Sequence, residues 1–310
     1  MAAKRNRRDV SGILLLDKPP GGTSNQVLQR VKWLFAARKA GHTGSLDPLA
    51  TGVLPLCLGE ATKISGFLLN ADKRYRVWCR LGTVTDTADA DGRVVSEHTV
   101  PALDTATVDA ALAGLVGEQD QLPPMYSAVK HNGERLYRLA RRGEAVDREP
   151  RRITIHALER VALEGNTVVV DVHCSKGTYV RTLAEAIAEA LGTGGHVSAL
   201  RRTGLGPFAG QPLVTLEQVE AAAESGVAAL DALLLPPEAG LADWPDVSLD
   251  PDSAHFVCHG QAVFVPRAPR AEWVRLFGPR GFLGMGVIQD DGRVAPRRLM
   301  VAKNPGAGAG

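Results

Sequence analysis

Arg74-Tyr75-Arg76-Val77-Trp78-Cys79-Arg80-Leu81 alternates without a break, with Tyr75, Val77, Cys79 and Leu81 on one side and Arg74, Arg76, Trp78 and Arg80 on the other. A period of two belongs to a strand with one buried side, so this segment predicts a strand with a core face and a basic face. Working outward, VLPLCL at 53–58 and the β-rich run Thr167–Cys174 predict further strands, and the apolar run GILLLD at 12–17 marks the start of the fold. The turn signal Lys18-Pro19-Pro20-Gly21-Gly22 follows, then Thr23, Ser24 and Asn25 as N-cap candidates. Val27, Leu28, Val31, Leu34 and Phe35 recur at helical spacing, while Arg30, Lys32, Arg38 and Lys39 mostly take the other side. They predict an amphipathic helix closed by Gly41. Further helices are expected over 60–69, 105–116, 134–142 and 180–191, the third of them rich in arginine, and 83–93 forms an acidic turn.

The 310 residues bring 36 Lys+Arg against 34 Asp+Glu, 45% hydrophobic and 23% charged residues. Those proportions are those of a folded globular chain and exclude a disordered or fibrous one. A formal charge of +2 is too mild to name a partner, so the placement of the cations has to do so. The cysteines at 57, 79, 174 and 258 form no CxxC pair and no zinc-clamping pattern with histidine. They read as small buried hydrophobes in a reducing compartment. Neither a signal-peptide core nor a membrane-spanning apolar run is visible, and the chain is expected to be cytoplasmic.

Residues 1–11 form a basic arm, expected to be flexible. After about residue 240 the texture changes to short apolar pieces split by Pro and Gly, which predicts a small separate β domain. The tail 304–310 is low in complexity and expected to be disordered.

Two tempting motifs fail on spacing. HTGSLDPLATG at 42–52 is glycine-rich but lacks the GxxxxGK[ST] pattern of a phosphate loop. In TDTADADG, an EF-hand register puts Thr87 first and His98 twelfth, where Asp and Glu are required. What remains is a lone carboxylate, Asp47, before Pro48 in a loop that Gly44 and Gly52 allow to bend tightly.

Five blocks in order, GILLLDKPPGGTS, AGHTGSLDPLATGVLPLCLGEATK, KRYRVWCRLGTVTDTADADG, QLPPMYSAVKHNGERLYRLARRG and CSKGTYVRTLAEAIAEALG, resemble the bacterial tRNA pseudouridine synthases of the TruB family. The likeness runs from about 12 to 205 and continues more weakly beyond. It implies an α+β (mixed α/β) catalytic domain on a large, mainly antiparallel sheet over 12–240, then a small β-rich, PUA-like RNA-binding domain over 241–303. It also implies isomerisation of one T-loop uridine of tRNA, position 55, with no cofactor and no metal.

The resemblance assigns catalysis to Asp47, whose ionised form meets the positive charge that develops on the sugar during glycosidic cleavage. Burial would raise the pKa of such a group, so a fixed cation is needed, and the matching residue is Arg181, paired also with Asp89 of the acidic turn. Tyr75 is implied to stack on the target base and assist removal of the C5 proton. Tyr179 and Leu200 wall the pocket, and His42 fills the space that the flipped base leaves. Lys18 is open between contacting RNA and supporting the active-site loop. RNA affinity is expected from Arg30 and Lys32, from the cations of 130–142, and from Arg151, Arg152, Arg201 and Arg202. The expected partner is the T-arm stem-loop of tRNA, bound by a monomer without guide RNA, obligatory protein partner or membrane. A tRNA-folding chaperone with catalysis secondary is the alternative, and a nucleosidase would want a second carboxylate as general acid.

Overall fold

The computed structural model describes residues 7–300 other than 128, 132 and 145, without the side chains of Lys130, His131, Arg135 and Arg141. The expected tail, the first six residues of the basic arm, and those cations of 130–142 lie outside the described residues.

Among the described residues a nine-stranded sheet runs in the order Val214–Thr215, Gly12–Lys18, Thr51–Leu58, Gly195–Leu205, Lys73–Leu81, Thr167–Cys174, Arg151–Glu164 and Gly117–Gln121, with Ala40–His42 added beside Thr51–Leu58. Pairing is antiparallel except between Gly12–Lys18 and Val214–Thr215 and between Thr51–Leu58 and Gly195–Leu205. The Lys73–Leu81 strand is interior, and the expected alternation holds: Tyr75, Val77, Cys79 and Leu81 are buried, whereas Arg74 and Arg80 are exposed.

The run GILLLD is apolar throughout because this sheet is covered on both faces. Leu14 and Leu16 join one core with Val27, Val31, Leu183 and Ile187 from the helices Ser24–Leu34 and Val180–Ala190. Ile13 and Leu15 enter a second core with Ile64, Leu68, Phe208 and Met285. Met285 belongs to a second sheet of five strands, ordered Asp246–Ser248, Trp273–Gly278, Gly281–Ile288, Arg293–Leu299 and Val263–Phe264. The β-rich C-terminal part therefore packs on the far face of the large sheet, where the Phe67 ring lies 4.8 Å from both Trp244 and Trp273.

Helix Ser24–Leu34 opens with a capping box between Thr23 and Gln26. It stops seven residues earlier than the expected Gly41, because Ala36 turns to φ 48° and residue 37 bridges to Arg8. Arg8 also pairs with Asp231 at 2.6 Å, and Val10 is buried. The stretch expected to be a mobile arm is thus held from Arg8 onward.

Two long strands escaped the periodicity reading. In Arg151–Glu164, register slips between Ile155 and Ala157 and between Arg160 and Ala162, which breaks the alternation a strand normally shows. Gly195–Leu205 carries adjacent arginines and glycines, a texture typical of loops, yet it lies between two strands in the sheet interior. Helix Val180–Ala190 buries Leu183 and Ile187 against the sheet, each contributing about 1.5–3 kcal/mol. That anchorage fixes Arg181 in the first turn of the helix.

Candidate active site

Asp47 sits on the loop between Ala40–His42 and Thr51–Leu58, and the loop is tied down before any substrate arrives. Lys18 Nζ donates to the carbonyls of Pro19 at 2.9 Å, Pro48 at 3.1 Å and Ala50 at 2.9 Å. Ser24 Oγ accepts from the Leu46 amide at 2.8 Å, and the Gly21 amide donates to Pro48 at 2.9 Å. Gly52, at φ 98°, closes the loop where a Cβ would meet the Arg202 carbonyl at 2.1 Å, so no side chain fits.

The sequence left Lys18 open between contacting RNA and supporting the active-site loop. Its side chain is wholly buried and its three N–H groups are committed to backbone carbonyls, so it supports the loop. Burial lowers its pKa to about 8, while the charges of Asp47 and Asp91 work against that fall.

Arg181 reaches the loop from the start of its helix. Its Nε stands 3.0 Å from Asp47 Oδ2, and its Nη1 faces Asp89 Oδ2 at 3.5 Å. The Nη1 donates to the Thr87 carbonyl at 2.8 Å and the Nη2 to that of Tyr126 at 2.7 Å. Asp89 is fixed in turn, its Oδ1 accepting from the Thr87 hydroxyl at 2.6 Å and the Asp91 amide at 3.2 Å. The side chains of Arg181 and Asp89 are 7% and 6% exposed, whereas that of Asp47 is 39% exposed and faces outward. Desolvation raises the Asp47 pKa; Arg181 pulls it down, Asp89 and Asp91 push it up, and Lys18 pulls it down. One guanidinium between two carboxylates moderates the rise without cancelling it.

Tyr75 is buried in the Lys73–Leu81 strand, directly across from Arg202 in the neighbouring strand. Burial pushes the Tyr75 phenol up, against the charge of Arg202 and the hydrogen bond from its guanidinium. Leu200 is buried in the same core. Tyr179 caps the Val180–Ala190 helix, its amide donating to Gln121 Oε1 at 2.7 Å and its carbonyl accepting from Gln121 Nε2 at 3.1 Å. His42 is half-buried, its Nδ1 has no hydrogen-bond partner among the described residues, and burial together with Arg202 lowers its pKa. The fold thus gathers Asp47, Arg181, Asp89 and Lys18 into one charged cluster, with Tyr75 within the field of Asp47.

Arg202 was expected at an RNA-facing surface and is instead 1% exposed. Its Nε donates to the Val53 carbonyl at 2.7 Å and its Nη2 reaches toward Gly44 at 3.4 Å, which links the Asp47 loop to Tyr75. Other expected RNA contacts are engaged within the protein: Arg201 with Asp17 at 2.8 Å, Arg30 with Glu220 at 2.6 Å, Arg152 with Glu118 at 3.0 Å and Arg142 with Glu134 at 2.6 Å. Gln121 and the carbonyls of Thr87 and Tyr126 position the site with no signal in the sequence, since backbone acceptors carry no residue signature.

A model of the TruB family pseudouridylate synthase N-terminal domain matches residues 32–180. Models of the tRNA pseudouridylate synthase B C-terminal domain and of the pseudouridine synthase II TruB C-terminal region match 181–242 and 245–300. The chain is 56% identical over 306 residues to tRNA pseudouridine synthase B of Nitrosococcus oceani, covering 97% of this chain and 99% of that relative. It is 54% identical over 299 residues to the protein of that name from Pseudomonas fluorescens, covering 96% and 98%. Among solved structures, a chain of a Cbf5-Nop10-Gar1 complex superposes with TM-score 0.71 at 28% identity, over 90% of this chain and 78% of that one. An H/ACA RNP bound to a substrate RNA containing 2'-deoxyuridine shares the fold, with TM-score 0.73 at 24% identity over 94% and 86% of the two chains. With identity above half along nearly its whole length and a matching catalytic domain, the chain belongs to the TruB family of tRNA pseudouridine synthases, which are isomerases.

Proposed function

We propose that this enzyme acts on one T-loop uridine of tRNA, position 55, and that Asp47 is the group that meets its ribose. The observation that carries the reading is the pairing of a half-exposed Asp47 carboxylate with the buried Arg181, 3.0 Å away. Uridine and pseudouridine are isomers. The C1′–N1 bond breaks, the base turns, a C1′–C5 bond forms, the C5 proton leaves and N1 gains one. Nothing is oxidised or reduced, so the reaction balances without cofactor or metal. Positive charge develops on the sugar as C1′–N1 breaks, and an ionised carboxylate traps or stabilises it.

The uridine has to leave its stack, which costs a few kcal/mol. Stacking on an aromatic ring returns about 1–3 kcal/mol per base, and Tyr75, with Leu200 beside it in the core, is read as that platform. Because burial keeps the Tyr75 phenol protonated, its ring face counts for more than its oxygen as a base. Tyr179 lines the same pocket and His42 takes the vacated place in the RNA stack.

In this reading residues 12–240 form the catalytic unit and 241–303 an RNA-binding unit. The enzyme works in the cytoplasm as a monomer on the T-arm stem-loop, without guide RNA or obligatory protein partner. Among the described residues no helix is long and apolar enough to cross a membrane.

The test is incubation of wild type and Asp47→Asn with an unmodified T-arm stem-loop, scoring pseudouridine by chemical mapping and binding by filter retention. Product at the T-loop uridine with wild type, and none with the tightly binding variant, supports the reading. Undiminished product with Asp47→Asn overturns the role of the carboxylate, and free uracil would identify a nucleosidase.

A further inference from the structure

No histidine or cysteine spacing in the sequence resembles a metal clamp, yet the fold collects three ligand-type side chains from separate strands. Asp72 immediately precedes the Lys73–Leu81 strand, His173 lies on Thr167–Cys174, and His156 lies on Arg151–Glu164. His156 is the residue at which pairing slips between Ile155 and Ala157. A bulge of this kind re-aims a side chain, and here it turns His156 toward the other two.

His156 Nε2 stands 3.1 Å from Asp72 Oδ2, and His173 Nε2 stands 3.6 Å from the same oxygen. The two imidazole centroids are 4.7 Å apart, and one ligand atom from each of the three residues lies within 4.8 Å of the others. Tetrahedral zinc with bonds of about 2.0–2.1 Å holds its ligand atoms roughly 3.4 Å apart. Two edges of the triangle bracket that value, and the third is no longer than 4.8 Å.

An open cavity of about 450 Å³ adjoins the cluster, lined in part by Asp72, His173, Arg74 and Asp243. It leaves room for water at the coordination positions the protein does not fill. Asp72 and Asp243 supply the negative charge of that lining, and Arg74 opposes it.

We propose that Asp72, His156 and His173 bind one divalent cation of the zinc class through two imidazoles and one carboxylate, a donor set suited to borderline metals. The site is separate from the Asp47 cluster. Bound metal cross-links the start of the Lys73–Leu81 strand, three residues before Tyr75, to the adjacent Thr167–Cys174 strand and to Arg151–Glu164 beyond it.

The experiment uses untagged full-length protein stripped with chelator and titrated with zinc chloride by calorimetry, with cobalt(II) as a spectroscopic probe. One equivalent of zinc should bind, the cobalt form should show ligand-field bands of a nitrogen and oxygen site, and the melting temperature should rise with zinc. The double variant His156→Ala/His173→Ala should bind roughly 100-fold more weakly or worse, since loss of even an outer partner costs about 10–100-fold. Both histidines are solvent-accessible, so the variant should melt with the chelated wild type, and Asp72→Asn provides a second, smaller change. Absence of saturable binding, or equal binding by the double variant, overturns the proposal.

Discussion

The guanidinium Nε of Arg181 lies 3.0 Å from the Asp47 carboxylate, and the two side chains differ in exposure, 7% against 39%. The cation is buried, and the anion is the more exposed partner. Two further acids, Asp89 and Asp91, share the field and push the Asp47 pKa up, in addition to desolvation. The proposed mechanism needs Asp47 ionised, so activity should fall as pH drops through this raised value, at a higher pH than an ordinary aspartate, near 3.9, would set. Replacing Arg181 with Met removes the main force that lowers the pKa. The acid limb of kcat should then move to still higher pH, and an unmoved limb would show that Arg181 does not govern the charge state of Asp47.

Stability should move in the opposite sense to activity at this residue. An acid whose folded pKa is raised holds its proton more tightly in the native state, so ionising it, as pH rises through the folded value, costs stability. Asn at position 47 carries no such cost, and Arg181 keeps Asp89 and two carbonyls as partners. Asp47→Asn should therefore abolish turnover while melting no lower than wild type at neutral pH. A large drop in melting temperature would mean that the Asp47–Arg181 pair holds the loop together.

Lys18 is predicted to matter through the fold. Removing its ammonium leaves the carbonyls of Pro19, Pro48 and Ala50 without that donor, and an unsatisfied buried acceptor costs about 1–3 kcal/mol. Lys18→Met should destabilise by roughly 2–5 kcal/mol on that basis, lower kcat, and leave the salt dependence of RNA binding unchanged. With its pKa lowered to about 8, the native side chain loses a proton, and with it one of three donated bonds, as pH rises through that value. An alkaline limb of kcat near pH 8 that disappears in Lys18→Met would confirm the assignment. A weakened salt slope at constant stability would return Lys18 to the RNA interface.

How much of this was legible before the structure depended on whether a residue's role was local. The Lys73–Leu81 alternation and the Thr23 cap are readable within a few positions of sequence. Asp47, Arg181 and Asp89 were placed by motif resemblance, and their meeting needed three separate elements to fold together. Arg202 was misread because an arginine in a basic pair looks solvated. Its burial follows from central placement in a sheet whose neighbours no local pattern reveals. The bulges in Arg151–Glu164 hid that strand for the same reason that they are useful: an extra residue shifts every later side chain to the other face.

Gly52 tests the link between the Asp47 loop and Arg202. Its φ of 98° lies in the region where an L side chain is strained, and a Cβ would stand 2.1 Å from the Arg202 carbonyl, a backbone atom of the adjacent strand that cannot rotate away. Gly52→Ala should therefore destabilise by more than about 3 kcal/mol, above the roughly 1–3 kcal/mol of a strained backbone alone, as measured by denaturant unfolding. It should also lower kcat even at temperatures where the variant remains folded, because Thr51–Leu58 must shift from the strand that carries Arg202. A variant with native stability and turnover would show that this close approach has slack.

The salt dependence of tRNA binding separates cations that are free to meet phosphate from those already engaged. Arg138 and Arg151 are exposed and carry no ion pair among the described residues, whereas Arg30 holds Glu220 through both Nε and Nη2. Each phosphate neutralised contributes a slope of about −0.7 to −0.9 to log K against log salt. Affinity for the T-arm should fall steeply between low and high salt. Replacing Arg138 or Arg151 with Gln should flatten the slope by nearly one unit wherever that residue meets a phosphate, and Arg30→Gln should leave it unchanged. The distinction rests on cost: to reach RNA, Arg30 must first give up two short hydrogen bonds, so the phosphate gained replaces a carboxylate lost. If all three variants bind with the slope of wild type, RNA affinity arises elsewhere, and the C-terminal sheet becomes the place to look.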